Sequence, residues 1–279
     1  MFNFRNPERH DVGVDVGIKE RLKSQNFDLR VYLLRHAETT KDKLDPNRGL
    51  TEEGKEQCRT AAQRIISELN PKDVVLNLLY SGMPRANQTL DFIVEELKQA
   101  GFEFYEPERL NNRGDGIKTK GVPRTEARRL SGIRNVGLGD DNYRKELYSA
   151  EKKASLGLPS DIGPEMVWLN DLNRPKEVET PEQVSVRVKD SFERAQRGVD
   201  RFAPSWREKG KKVVTLALTH GAVMEKFFSN EMDVDVNKLG VTPNVEGYRI
   251  DFSEGNKPVI NPWGEKIEKT VKDLKKDLE

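Results

Sequence analysis

Two of the three histidines in this 279-residue chain close apolar, strand-like runs. Val31-Tyr32-Leu33-Leu34 leads into Arg35-His36-Ala37-Glu38-Thr39, and Val213-Val214-Thr215-Leu216-Ala217-Leu218 leads into Thr219-His220-Gly221. A residue that closes a strand is delivered to the carboxyl edge of its sheet, where open α/β sheets bind ligands. If the two strands run parallel in one sheet, both imidazoles reach that edge together. Imidazole is the side chain best suited to nucleophilic attack or proton transfer near neutral pH. Arg35 adds a fixed cation beside His36, and Arg85 opens the helical segment after Ser81-Gly82-Met83-Pro84. Helix N-termini attract anions through free N–H groups, and a guanidinium fork matches phosphate oxygens. Two arginines and two histidines on one edge therefore suit a doubly negative tetrahedral group. Transfer of a phosphoryl group to an imidazole nitrogen would be stabilised there as its charge develops. The plain alternatives are unrelated histidines ending two strands and an arginine solvated at a helix start.

Such a centre requires strands that alternate with helices. Apolar runs predict strands at 29–34, 74–80, 102–105, 213–218 and 245–252. Helical periodicity predicts helices from Thr51 to about residue 69, at 85–100, at 182–202 and from Ala222 onward. Thr51 is a good N-cap, and the acidic first turn that follows favours the helix dipole. Ala61, Ala62, Ile65, Ile66 and Leu69 form the buried stripe of that helix, and Leu90, Ile93, Val94 and Leu97 that of the next. The 213–218 run is apolar without alternation, which marks a central strand buried on both faces.

The expected fold class is α/β, a three-layer α/β/α sandwich around a mostly parallel sheet. Its organisation reads as an N-terminal extension (1–27, with a short helix at 18–24), one domain (28–262) and a charged C-terminal helix (263–279). A helical and loop cap insertion is expected at about 111–181, with a helical piece at 143–156 and Trp168. The tail's apolar stripe, Ile267, Val271, Leu274 and Leu278, is expected to dock on the domain.

Charges nearly cancel, 48 basic against 47 acidic, so no global field favours nucleic acid and any anion site must be local. Cys58 is the single cysteine, which excludes an internal disulfide and a cysteine-based metal cluster. Residues 1–28 hold no apolar core of signal-peptide length, and no run approaches the ~18 apolar residues of a spanning helix. A cytoplasmic protein without membrane or nucleic-acid partners is the expectation.

Taken together, the motifs resemble those of the histidine phosphatase superfamily, which includes the cofactor-dependent phosphoglycerate mutases. Arg35-His36-Ala37-Glu38-Thr39 looks like its Arg-His signature, and Leu50-Thr51-Glu52-Glu53-Gly54-Lys55-Glu56-Gln57 like its Leu-Thr-x-x-Gly-x-x-Gln helix start. Ser81 to Thr89 resembles the second-arginine segment, and Thr219-His220-Gly221 the second-histidine motif. The resemblance spans about residues 29 to 252 and implies a phosphoglycerate mutase-like fold. It makes His36 the nucleophile that becomes phosphohistidine, with Arg35, Arg85 and His220 neutralising the phosphoryl group and Thr39 and Arg113 assisting. It implies neither metal nor cofactor.

Two positions depart from that pattern. Asp42 stands where the family signature has an asparagine, and a carboxylate beside a phosphate repels it unless paired or protonated. Asn112, in Arg109-Leu110-Asn111-Asn112-Arg113, occupies the slot of the mutases' acidic glutamate, and an amide cannot protonate a leaving alkoxide. Asp115 is the substitute favoured for the acid, ahead of Glu126, Glu106 and Glu108. The seven basic residues within 113–134 read as a flexible lid over an anionic substrate or as a solvated loop. The leading function is phosphomonoester hydrolysis through phosphohistidine, on a small-molecule phosphoester or a phosphoprotein. The alternatives are a phosphoglycerate mutase-type phosphotransferase and a non-catalytic phosphate-binding or interaction module.

Overall fold

The computed structural model describes residues 27–40, 47–105, 116–119, 122–126 and 141–276. Seven strands are found among them: β1 (Leu29–Arg35), β2 (Val74–Tyr80), β3 (Gly116–Thr119), β4 (Val122–Glu126), β5 (Lys212–Thr219), β6 (Gly247–Phe252) and β7 (Val259–Trp263). The helices are α1 (Glu52–Glu68), α2 (Pro84–Gln99), α3 (Asp141–Glu146), α4 (Ala150–Ser155), α5 (Pro164–Asn170), α6 (Pro181–Glu208), α7 (Gly221–Met232), α8 (Val236–Leu239) and α9 (Glu265–Lys276).

The strands form one sheet in the order β3-β4-β2-β5-β1-β6-β7. Its centre is parallel, with β5 between β2 and β1 and β4 beside β2. Its margins are antiparallel, β3 on β4 and β6 and β7 beyond β1. The sheet is thus mixed where a mostly parallel one was expected. β6 begins opposite Leu34, at the carboxyl end of β1. A strand that starts at that edge must run antiparallel, since a parallel one would first need a crossover back to the far edge.

Side-chain alternation along the strands divides the core in two. Tyr32 and Leu34 of β1, with Val214, Leu216 and Leu218 of β5, pack under α1 and α2. Val31 and Leu33 of β1, Ala217 of β5 and Tyr248, Ile250 and Phe252 of β6 pack under α5, α6, α7 and α9. Successive residues on a strand face opposite sides, so a continuous apolar run such as β5 serves both layers. This is the three-layer α/β/α sandwich. Ile267 and Val271 of α9 are buried in the second layer, which docks the charged C-terminal helix through its apolar stripe.

Several boundaries differ from the sequence reading. The segment 102–105 contributes one parallel bridge, Phe104 to Leu76, in place of a full strand. The strand expected at 245–252 starts only at Gly247, and β7 follows it. The 111–181 insertion is not purely helix and loop, because β3 and β4 form a hairpin that extends the main sheet beside β2. That pairing replaces a flexible lid over these two strands. Glycine, proline and charged residues in these two short segments leave no apolar alternation to mark them as strands. The helical piece at 143–156 is two helices, α3 and α4, and Trp168 is fully buried on α5. α6 extends to Glu208, and Thr180 and Gln183 cap it reciprocally at 3.2 and 2.7 Å, in the manner of a capping box. Residues 1–26 of the N-terminal extension, with the helix expected at 18–24, and Leu278 lie outside the described residues.

Candidate active site

The two histidine strands are neighbours. β1 and β5 run parallel with Arg35 opposite Thr219, and the His36 backbone N–H donates to the Thr219 carbonyl at 2.9 Å. His36 and His220 thus leave the same edge as the next residue of each strand. β2 flanks β5 on its other side and ends at Tyr80, which places Ser81 and the N-terminus of α2 at the same edge.

The turn after β1 is held by residues that the motifs supply. Ala37 N–H donates to Thr89 Oγ1 at 3.0 Å, and the Thr89 hydroxyl donates to the Arg85 carbonyl at 2.8 Å. Thr89 therefore ties the His36 loop to the first turn of α2. Gln57 accepts the Glu38 N–H at 3.1 Å and Gln88 accepts the Leu50 N–H at 3.2 Å. Thr51 caps α1 by accepting the Gly54 N–H at 2.9 Å. A methyl group on Gly54 would lie 2.2 Å from the Glu38 carbonyl oxygen, so only glycine lets α1 approach this turn.

At the centre, the hydrogen bonds fix the imidazole tautomers. His36 Nδ1 lies 2.7 Å from the Ala37 carbonyl, which can only accept, so Nδ1 carries the proton. His36 Nε2 then holds a lone pair, and Arg85 Nε donates to it at 3.1 Å. The same guanidinium reaches His220 Nδ1 through Nη2 at 3.2 Å. His220 Nε2 consequently carries the other proton and donates to Ser81 Oγ at 2.9 Å. The rings meet edge to face, with centroids 5.2 Å apart. Arg85 thus sets its fork between two neutral imidazoles and donates to the unprotonated Nε2 of His36.

Electrostatics reinforce this state. His36 is 7% exposed and His220 6%. Burial, then the positive charge of Arg85, hold both pKa values well below the ordinary 6.5. Arg35 and Arg48 add to the effect on each ring. A neutral imidazole among three cations keeps a free lone pair in surroundings that favour negative charge.

Arg35 is fastened at several points. Its Nη1 donates to the Thr242 carbonyl at 2.7 Å, and Nη2 faces Glu165 Oε1 at 3.6 Å. Its backbone N–H donates to the Glu246 carbonyl at 3.0 Å, and its carbonyl accepts the Val245 N–H at 3.1 Å. Thr39, expected to assist with phosphate, accepts Arg48 Nε at 2.7 Å and so positions that arginine. Sequence reasoning missed Arg48, Ser81, Thr89, Glu165, Glu225 and Thr242. Ser81 and Thr89 lay inside a recognised motif, whereas nothing local distinguished the other four. Asp42, Asn112, Arg113 and Asp115, together with Glu106 and Glu108, lie outside the described residues.

Known proteins resemble this chain in part of its sequence and in its fold. Residues 31–132, which include Arg35, His36 and Arg85, match the family model of the histidine phosphatase superfamily (branch 1). The 2,3-bisphosphoglycerate-dependent phosphoglycerate mutase of Parvibaculum lavamentivorans is 35% identical over 96 residues, 34% of this chain and 43% of that protein. The chain therefore spans less than half of that relative's length. The phosphoglycerate mutase of Bacillus anthracis shares the fold, with a TM-score of 0.52 at 15% identity over 88% of this chain and 96% of that one. A mycobacterial glucosyl-3-phosphoglycerate phosphatase in complex with inorganic phosphate scores 0.49 at 17% identity, covering 86% and 98% of the two chains. The structure itself shows an α/β sheet with two histidines and several arginines gathered at its carboxyl edge. Over residues 31–132 this chain is similar to the histidine phosphatase superfamily.

Proposed function

We propose that the protein is a phosphomonoester hydrolase that works through a phosphohistidine at His36. The observation that carries this reading is the unprotonated Nε2 of His36, lying 3.1 Å from an arginine that also serves His220. In the first step Nε2 attacks phosphorus, the N–P bond forms, and the P–O ester bond breaks. Arg85 Nε passes from the imidazole lone pair to a phosphoryl oxygen as that lone pair is consumed. Arg35 and Arg48 oppose the charge that develops on the transferred group, beside the His220 ring that Arg85 also holds. Water then attacks phosphorus, the N–P bond breaks, and inorganic phosphate departs with His36 restored.

The departing alkoxide needs a proton. Asp115 is one proposed source. Glu165, partly exposed on α5 and within 3.6 Å of Arg35, is the other. The substrate class is a phosphorylated small molecule or phosphoprotein. Asn112 in the mutases' acid slot counts against phosphoglycerate mutase activity, which an isomerisation assay with and without a bisphosphate primer measures directly.

The test is His36→Ala. The variant is expected to stay folded, to lose p-nitrophenyl phosphate hydrolysis and to lose the acid-labile phosphoenzyme trapped in quenched wild-type reactions. Wild-type protein with no turnover across a broad phosphoester panel refutes the proposal.

A further inference from the structure

Glu225 stands on α7, one helical turn beyond His220, and takes no part in the chemistry above. Its side chain is fully buried, 0% exposed. Oε1 accepts the Thr242 N–H at 2.8 Å, while Oε2 is buried with no hydrogen-bond partner. Thr242 in turn accepts Arg35 Nη1 through its carbonyl. One residue of the loop before β6 therefore links the carboxyl group to the arginine. The two side chains also border the same glycine. A methyl group on Gly221 would lie 3.0 Å from Glu225 Oε1 and 3.5 Å from Arg35 Nε, so they flank a single point beside the glycine that follows His220. Arg35 Nε is itself buried without a partner. The loop that joins them is strained, since Val245, a β-branched residue, sits at φ 54°. Strain of this kind persists where surrounding contacts over-determine it, and here those contacts converge on Arg35.

We propose that Glu225 is a positioning residue that acts on the phosphoryl group through Arg35. Its protonated form leaves the arginine's charge to the substrate, and its ionised form competes for that charge. The inference rests on the reading of Arg35 as a phosphoryl ligand.

A buried carboxyl group can exist in either state only if its surroundings balance, and those around Glu225 nearly do. Burial pushes its pKa up to about 7, and the Glu165 carboxylate on α5 adds to this. The Thr242 N–H and the Arg35 guanidinium on β1 oppose the rise. The Tyr248 phenol of β6 also faces the group, and Glu225 helps keep that phenol protonated. The sign of the linkage follows. A bound dianion adds negative charge near Arg35, so it raises the Glu225 pKa and keeps the group neutral. Reciprocally, ionisation of Glu225 as pH rises through about 7 weakens dianion binding.

The test uses sulfate, which stays dianionic throughout the range and requires no turnover. Wild-type affinity for sulfate should fall roughly 3- to 10-fold between about pH 6 and 8.5, as expected for a coupling of up to about one pKa unit. Glu225→Gln, whose amide oxygen can still accept the Thr242 N–H, should bind sulfate with nearly flat pH dependence at the wild-type low-pH affinity. Carbon-13 NMR of glutamate-labelled wild-type protein supplies a readout that needs no variant. One carboxyl should titrate near neutrality and move to higher pH when sulfate is added. A purely structural role would lower stability without changing the shape of the pH profile.

A wild-type sulfate affinity that is flat with pH, or one that keeps its slope in Glu225→Gln, overturns the inference while leaving hydrolysis through His36 intact. Sulfate binding with the expected slope but no phosphoester turnover supports the inference and refutes the hydrolase reading instead.

Discussion

Replacing Arg85 by lysine separates fork geometry from simple positive charge. Arg85 donates through Nε to His36 at 3.1 Å and through Nη2 toward His220 at 3.2 Å, two donors of one rigid plane aimed at neighbouring rings. A phosphoryl group arriving between those rings takes over both. Lysine brings a compact point charge on a flexible stem and cannot reproduce the paired geometry. Loss of one charge-assisted hydrogen bond costs about 1.5–3 kcal/mol. At about 1.4 kcal/mol per tenfold, this is a fall of roughly 10- to 150-fold in kcat/KM. Arg85→Ala also removes the cation and should fall on the order of a thousandfold.

Steady-state kinetics with p-nitrophenyl phosphate measure these losses, and thermal unfolding confirms that the fold survives. Histidine NMR supplies an independent check. After burial, Arg85 is the largest influence depressing both imidazoles, so in Arg85→Ala both should titrate at higher pH than in wild type. An Arg85→Lys enzyme within about threefold of wild type, set against the hydrogen-bond magnitude above, would refute the bridging role assigned to the fork.

Further outcomes follow from the same contacts. Thr89→Val is nearly isosteric but leaves the buried Ala37 N–H without its acceptor, so urea unfolding should register a loss of about 1–3 kcal/mol. Both imidazoles are held neutral in the native state, and the unfolded chain binds more protons below their ordinary pKa of 6.5. Stability should therefore fall as pH drops below that value, by about 1.4 kcal/mol per pH unit for each histidine until its native pKa is reached. Urea titrations at descending pH should find this slope reduced in His220→Gln. If Glu165 protonates the leaving group, Glu165→Gln should slow alkyl phosphates at least about tenfold while sparing p-nitrophenyl phosphate, whose leaving group needs no acid. Equal effects on both substrates would remove Glu165 as the acid.

Local pattern determined a large part of this protein. The runs at 29–34, 74–80 and 213–218 are strands because a continuous apolar stretch is stable only when both faces are covered, as they are in β1, β2 and β5. Thr51 caps α1 and Gly54 permits its close approach, both features of short-range geometry. The carboxyl ends of β1 and β5 carry His36 and His220, so part of the centre was legible before any contact was known.

Tertiary structure decided what no local pattern encodes. Strand order made β1 and β5 neighbours, and the direction of β6 followed from the edge at which its loop arrived. The hairpin of β3 and β4 joined the sheet despite the charges on its strands. Arg48, Glu165, Thr242 and Glu225 reached the arginines and histidines from separate loops and helices. Sequence by itself supplied the reactive groups and the strands that carry them. Their partners, and the charge state in which burial holds them, exist only once distant segments exclude water from the same carboxyl edge.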